Sequence, residues 1–95
     1  MNQVVVFYQG GCPACHEYLP RFRRLAVKYR NHLNIQTANL DHASRRIQDT
    51  AIDYKITAVP TTLVLNSKDE LIKRRVGAIS DAQIEALLTA AAAQR

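Results

Sequence analysis

The chain has two cysteines, Cys12 and Cys15, three positions apart in the run Gly10-Gly11-Cys12-Pro13-Ala14-Cys15-His16. An apolar run, Val4-Val5-Val6-Phe7-Tyr8, leads into it, and a helical pattern that starts near Cys15 leads out. A dithiol at a strand-to-helix junction is a place for redox chemistry. The first turn of a helix has N–H groups without intrahelical partners and carries partial positive charge. A thiolate there is stabilised, and the thiolate is the form that attacks a disulfide. Cys12 is therefore the expected nucleophile. Cys15, one turn along and buried, is the expected resolving thiol, which attacks the mixed disulfide and releases the reduced partner. Pro13 suits the first helical position because its missing N–H would have been unpaired anyway. Gly10 and Gly11 leave room above Cys12 for another chain to approach.

Two other chemistries use cysteines at this spacing. Structural zinc needs four ligands, and the remaining candidates, His16, His32 and His42, show no paired-ligand spacing. Cys12-Pro13-Ala14-Cys15-His16 also spells C-x-x-C-H, the c-type haem attachment motif. Haem would want export, an axial partner and a helical pocket. The chain has a single Met, at position 1, and strand patterns throughout. No cofactor is expected. His16 leaves from the turn that carries the thiolate; it is either a modulator of the Cys12 pKa or a solvated surface histidine. Tyr8 either borders the dithiol or belongs to the core.

The elements that hold the dithiol can be laid out in order. At 95 residues the expectation is one domain over 1–95. The composition, 47% hydrophobic and 22% charged, is that of an ordinary folded protein. No apolar run reaches membrane-spanning length. Met1-Asn2-Gln3 lacks a basic n-region, and the apolar run behind it is short for a signal peptide. The expectation is a cytoplasmic monomer, and in that reducing setting a Cys pair is more often catalytic or metal-binding than structural. The net charge of +5 fits solubility or an acidic protein partner better than nucleic acid, since no recognition motif accompanies it.

A buried strand is predicted over 4–8. In the helix that follows, Leu19, Phe22, Leu25, Ala26 and Tyr29 share a face, and Pro20 is expected to interrupt and kink it. Its basic run, Arg21, Arg23, Arg24, Lys28 and Arg30, is expected to be a solvated face. A second strand is predicted over 33–40, then a cap at Asp41 or Ser44 and a helix over 43–54 with Ile47, Ala51 and Tyr54 inward. Strand, helix, strand in this order implies a parallel crossover. Residues 57–61 form a loop, because Val59 precedes Pro60. Strands over 62–65 and 70–76 make a hairpin around 66–69, ended by Gly77. Ser80 and Gln83 form a capping box for a last helix, with Ile84, Leu87, Leu88 and Ala91 inward and a fraying alanine-rich tail through Arg95. The order βαβ-α-ββα predicts an α/β protein with a four-stranded mixed sheet flanked by three helices. A C-x-x-C near a βαβ unit is the sign of a redox motif.

With these pieces in order, the chain resembles the thioredoxin family over nearly its whole length. Val5-Val6-Phe7-Tyr8, Cys12-Pro13-Ala14-Cys15, Pro20, Asn39-Leu40-Asp41, Tyr54-Lys55-Ile56 before Val59-Pro60-Thr61, and Arg75-Val76-Gly77-Ala78 before Ser80 stand in the family's order. The resemblance implies a thioredoxin-like fold and a cis-proline at Pro60. It implies a substrate surface of Gly11, Pro13, Val59, Pro60 and Gly77, with Val59 pairing an extended substrate segment. The implied activity is reduction of protein disulfides, with a thioredoxin reductase or glutathione as electron donor. The departures are specific. The family's first strand and helix have no counterpart, as in glutaredoxins. Gly11 replaces a tryptophan, Pro13-Ala14 replaces Gly-Pro, Val6 replaces a buried aspartate and Thr37 a lysine. The helix over 43–54 is about one turn longer than the family's, and the turn around Ser67 about one residue longer. A glutathione-dependent, glutaredoxin-like reductase is the alternative, disfavoured because no double glycine follows the proline loop. A non-catalytic interaction module is the third reading.

Overall fold

The computed structural model describes residues 1–93. β1 (Gln3–Tyr8) enters the dithiol loop, and α1 (Pro13–Ala26) leaves it, extended by a 3-10 turn at Val27–Tyr29. β2 (Asn34–Asn39) is followed by a 3-10 turn at Leu40–His42 and by α2 (Arg45–Asp53). β3 (Thr61–Leu65), β4 (Leu71–Val76) and α3 (Asp81–Ala93) complete the order. The sheet runs β2-β1-β3-β4. β1 is parallel to β2 and antiparallel to β3, and β3 is antiparallel to β4. The predicted mixed sheet with three helices is the observed fold, α/β and thioredoxin-like.

β1 is apolar without alternation because both faces of the sheet are covered. Val4 and Val6 face a core shared with Tyr18, Leu19 and Phe22 of α1, Val64 of β3, and Ile84, Leu87, Leu88 and Ala91 of α3. Val5 and Phe7 face the other layer with Ala38, Leu63 and Leu65, over which Ile47 and Ala51 of α2 and its C-cap Tyr54 pack. Phe7, Phe22, Ile84 and Leu88 are fully buried, each worth about 1.5–3 kcal/mol relative to exposure. Asn2 is buried at the edge of the first core and donates to the Ala91 carbonyl at 3.0 Å, tying the start of the chain to α3.

α1 begins at Pro13, the expected first helical position, with Cys12 as its N-cap. Pro20 lies inside α1, which runs through it to Ala26 without the expected interruption. Ser44, not Asp41, caps α2; its hydroxyl accepts from the Ile47 N–H at 3.2 Å. α2 is nine residues long, shorter than 43–54, because Ala43 and Ser44 are extended and Tyr54 is the C-cap. The Ser80–Gln83 capping box is present, with the Ser80 N–H donating to Gln83 Oε1 at 2.9 Å and the Gln83 N–H to Ser80 Oγ at 3.2 Å. The alanine-rich end is helical through Ala93, with Ala91 buried; the rest of the expected tail lies outside the described residues. No helix among the described residues is long and apolar enough to cross a membrane.

Candidate functional site

Cys12 has extended backbone, φ −104° and ψ 106°, as an N-cap requires, and Pro13 opens the helix behind it. Its sulfur takes the place of the usual capping oxygen and accepts from the Cys15 N–H at 3.1 Å. The Cys12 carbonyl accepts from the His16 N–H at 3.1 Å. The two cysteines are joined as a disulfide, with Cα atoms 5.2 Å apart, inside the range such a bond needs. They are not equivalent: Cys12 is half-buried, whereas Cys15 is 1% exposed.

The loop before β3 meets the dithiol from the other side. The Val59–Pro60 peptide bond is cis, as the family resemblance implies. The Val59 carbonyl oxygen lies 3.8 Å from Cys12 Sγ. Pro60 is buried, and its carbonyl accepts from the Gly77 N–H at 2.8 Å. Gly77 has φ +94°, a conformation that L side chains rarely adopt, so glycine is required there. The Thr61 hydroxyl donates to the Ala58 carbonyl at 2.6 Å and closes the loop. Cys12, Val59, Pro60 and Gly77, up to 65 residues apart in sequence, thus form one connected surface. Gly11 and Pro13 are exposed beside it, and a Cβ on Gly11 would meet nothing within 4 Å.

His16 is exposed, and its ring Nε2 lies 2.5 Å from the Gly10 carbonyl. A carbonyl only accepts, so Nε2 carries the proton in this contact. Tyr8 is half-buried and packs against the α1–α3 core. Val6 is 0% exposed and lies between Thr37 on β2 and Thr62 on β3, so no carboxylate stands at that place. Among the described residues no three His, Cys, Asp or Glu side chains gather where they could hold a metal.

Three features escaped the sequence. Asp41 Oδ2 accepts from the Gly10 N–H at 2.7 Å and braces the turn before the dithiol. Behind α1, the Tyr18 hydroxyl meets Thr62 Oγ1 at 2.9 Å, both residues fully buried; burial raises the Tyr18 pKa above its usual 10.0. The basic face of α1 is more than solvated. Arg21 and Arg24 pair with Asp81, and Lys28 with Glu85, so these cations tie α1 to α3. Hydrogen bonds to Glu17 and Asp81 raise the Arg21 pKa, the Glu85 bond raises that of Lys28, and the Arg21 bond lowers that of Glu17. Apart from the Arg21–Glu17 pair, one turn apart on α1, no local pattern announces these contacts, because each joins elements far apart in sequence.

A family model described as Thioredoxin matches residues 1–90. The mitochondrial thioredoxin of Mus musculus is 29% identical over 85 residues, covering 90% of this chain and 48% of that protein. The mitochondrial thioredoxin of Bos taurus is 28% identical with the same coverage. The chain thus spans about half the length of these curated relatives. Among solved structures, the thioredoxin of Malassezia sympodialis superposes with a TM-score of 0.83 at 20% identity, covering 97% of this chain and 76% of that one. A chain from a study of thiol resolution in yeast mitochondrial 1-Cys peroxiredoxin superposes with a TM-score of 0.76 at 21% identity, covering 94% and 77%. These two likenesses carry the fold. The family model spans both cysteines, the Pro60 loop and most of α3, and on that match the chain belongs to the thioredoxin family.

Proposed function

We propose that the chain is a thiol–disulfide oxidoreductase that reduces disulfides in protein substrates. The observation that carries this reading is the asymmetry of the pair: Cys12 half-buried at a helix N-cap beside the Val59 carbonyl, Cys15 buried one turn on. In the reduced protein the Cys12 thiolate attacks one sulfur of a substrate disulfide. A Cys12–substrate bond forms, the substrate S–S bond breaks, and the departing sulfur takes a proton. Cys15 then loses its proton and attacks Cys12 Sγ, expelling the second substrate thiol. Two electrons and two protons have passed to the substrate, and the Cys12–Cys15 disulfide remains. An extended substrate segment can pair with the Val59 backbone, a strand-addition mode that leaves Gly11, Pro13 and Gly77 at its margins. A thioredoxin reductase or glutathione returns the dithiol.

The test is turnover of insulin disulfides, with a thioredoxin reductase plus NADPH in one arm and glutathione plus its reductase in the other. Turnover in the first arm is expected. Turnover only with glutathione assigns the electron supply to glutathione. No turnover in either arm, nor with dithiothreitol as the donor, overturns the reading.

A further inference from the structure

Arg21 stands six residues after Cys15 on the helix that carries the dithiol, and it makes more contacts than a surface cation needs. Its Nε and Nη2 form a fork onto the Glu17 carboxylate one turn back. Its Nη1 donates to the Ile79 carbonyl at 3.0 Å and to Asp81 Oδ1 at 2.7 Å. The guanidinium carbon lies 5.7 Å from the centre of the Tyr18 ring, whose hydroxyl is fixed by Thr62. The side chain is 23% exposed. An isolated exposed ion pair contributes little. A planar fork that also serves a backbone carbonyl is different, because it fixes position as well as charge.

The carbonyl it serves belongs to the segment between β4 and α3. Residues 77–79 lie outside any helix or strand, and Ser80 caps α3. One end is pinned where the Gly77 N–H meets the Pro60 carbonyl, and the Ile79 N–H turns back to the Gly77 carbonyl at 3.0 Å. The other end is pinned by Arg21 at Ile79 and Asp81. Pro60 in turn holds Val59, whose carbonyl faces Cys12.

We propose that Arg21 is a positioning residue for protein substrates: it fixes the 77–80 segment, and through Gly77 the Val59–Pro60 loop, against the helix that presents Cys12. The inference rests on the oxidoreductase reading above and names the device that sets its preference for chain-like substrates. A small disulfide needs only the sulfur of Cys12. An extended protein segment needs Cys12, Val59 and Gly77 at fixed separation, and a misplacement of these groups weakens its binding.

The experiment compares wild type, Arg21→Met, Arg21→Lys and Lys28→Met in two assays. One is dithiothreitol-driven reduction of insulin; the other is single-turnover reaction of the reduced protein with 5,5′-dithiobis(2-nitrobenzoate). The methionine keeps an apolar stem over Tyr18. Arg21→Met is expected to raise KM for insulin about tenfold with kcat nearly unchanged, and to leave the small disulfide within about twofold. Arg21→Lys restores part of the loss, since one donor can still reach Ile79 or Asp81. Lys28→Met, which removes an ion pair to Glu85 on α3 without touching the segment or Arg21, behaves as wild type. An equal loss on both substrates, or no change in KM, overturns the proposal. Amide exchange at Gly77 tests the device without any activity: it should be about tenfold faster in Arg21→Met, and an unchanged rate overturns it. A wild type that fails to reduce insulin while Gly77 exchange responds to Arg21→Met would sink the activity reading and leave the tie standing.

Discussion

Asp41, in the 3-10 turn after β2, accepts a hydrogen bond from the backbone N–H of Gly10, 31 residues earlier, and so fixes the turn that delivers Cys12 to its helix. A Cβ on Gly10 would lie 3.2 Å from that same carboxylate oxygen, so the two residues fit each other closely. Asp41→Ala removes the acceptor and is expected to cost about 1 kcal/mol, in keeping with one partly exposed hydrogen bond. Asp41→Asn keeps an acceptor and should recover most of it. Urea melts of the oxidised protein check both; equal losses in the two variants would mean that the carboxylate charge, not the bond, matters.

The Cys12 thiol is expected to ionise below the free value of about 8.5, because the Cys15 N–H and the helix N-terminus both favour the thiolate. Alkylation rate against pH in Cys15→Ser reports it. The same variant should accumulate mixed disulfides with substrates, whereas Cys12→Ser should not. An inflection at or above the free value, or equal trapping by both variants, removes the division of roles between the two sulfurs.

Tyr18 and Thr62 form a buried hydroxyl pair, so removing one hydroxyl strands the other. Tyr18→Phe is expected to cost about 1–3 kcal/mol, and adding Thr62→Val should recover part of it by removing the stranded group. The pair also sets a pH limit. Burial raises the phenol's pKa above the 10.0 of an exposed tyrosine, so the fold holds that proton more tightly than the unfolded chain does. That stability is fully present below about pH 10 and is lost as pH rises through the raised value. Thermal melts from pH 8 to 11 should show a shallower alkaline decline in Tyr18→Phe than in the parent.

Val6 is fully buried between Thr37 and Thr62, neither of which carries a charge. Val6→Asp places an unpaired carboxyl there and is expected to destabilise the fold by about 2–5 kcal/mol. If position 6 lies within reach of Cys15, as the family resemblance implies, the substitution should also speed release of a preformed Cys12 mixed disulfide near neutral pH, because only the thiolate attacks. Stopped-flow release and thermal melts separate the two effects. Destabilisation without acceleration would show that Cys15 loses its proton by another route.

The sequence by itself determined the features that depend on near neighbours. Cys12, Pro13 and Cys15 are three consecutive demands of one helix start, and Ser80 with Gln83 is another. The stripe of Ile84, Leu87, Leu88 and Ala91 follows from 3.6 residues per turn, and the two-faced burial of Val4 to Phe7 from a pleat of period two. The cis-proline at Pro60 was implied by motif order and not by any local propensity. The tertiary structure alone decided where longer-range polar groups end. Asp41 reads as a cap within its own segment, yet docking of β2 beside β1 brings it to Gly10. Arg21 belongs to a run of cations that any solvated helix could carry, yet packing of α1 on α3 gives it the Ile79 carbonyl and Asp81. Periodicity sets which face of an element is apolar. It does not set which distant polar group each long side chain will reach, because that depends on how separately formed elements dock.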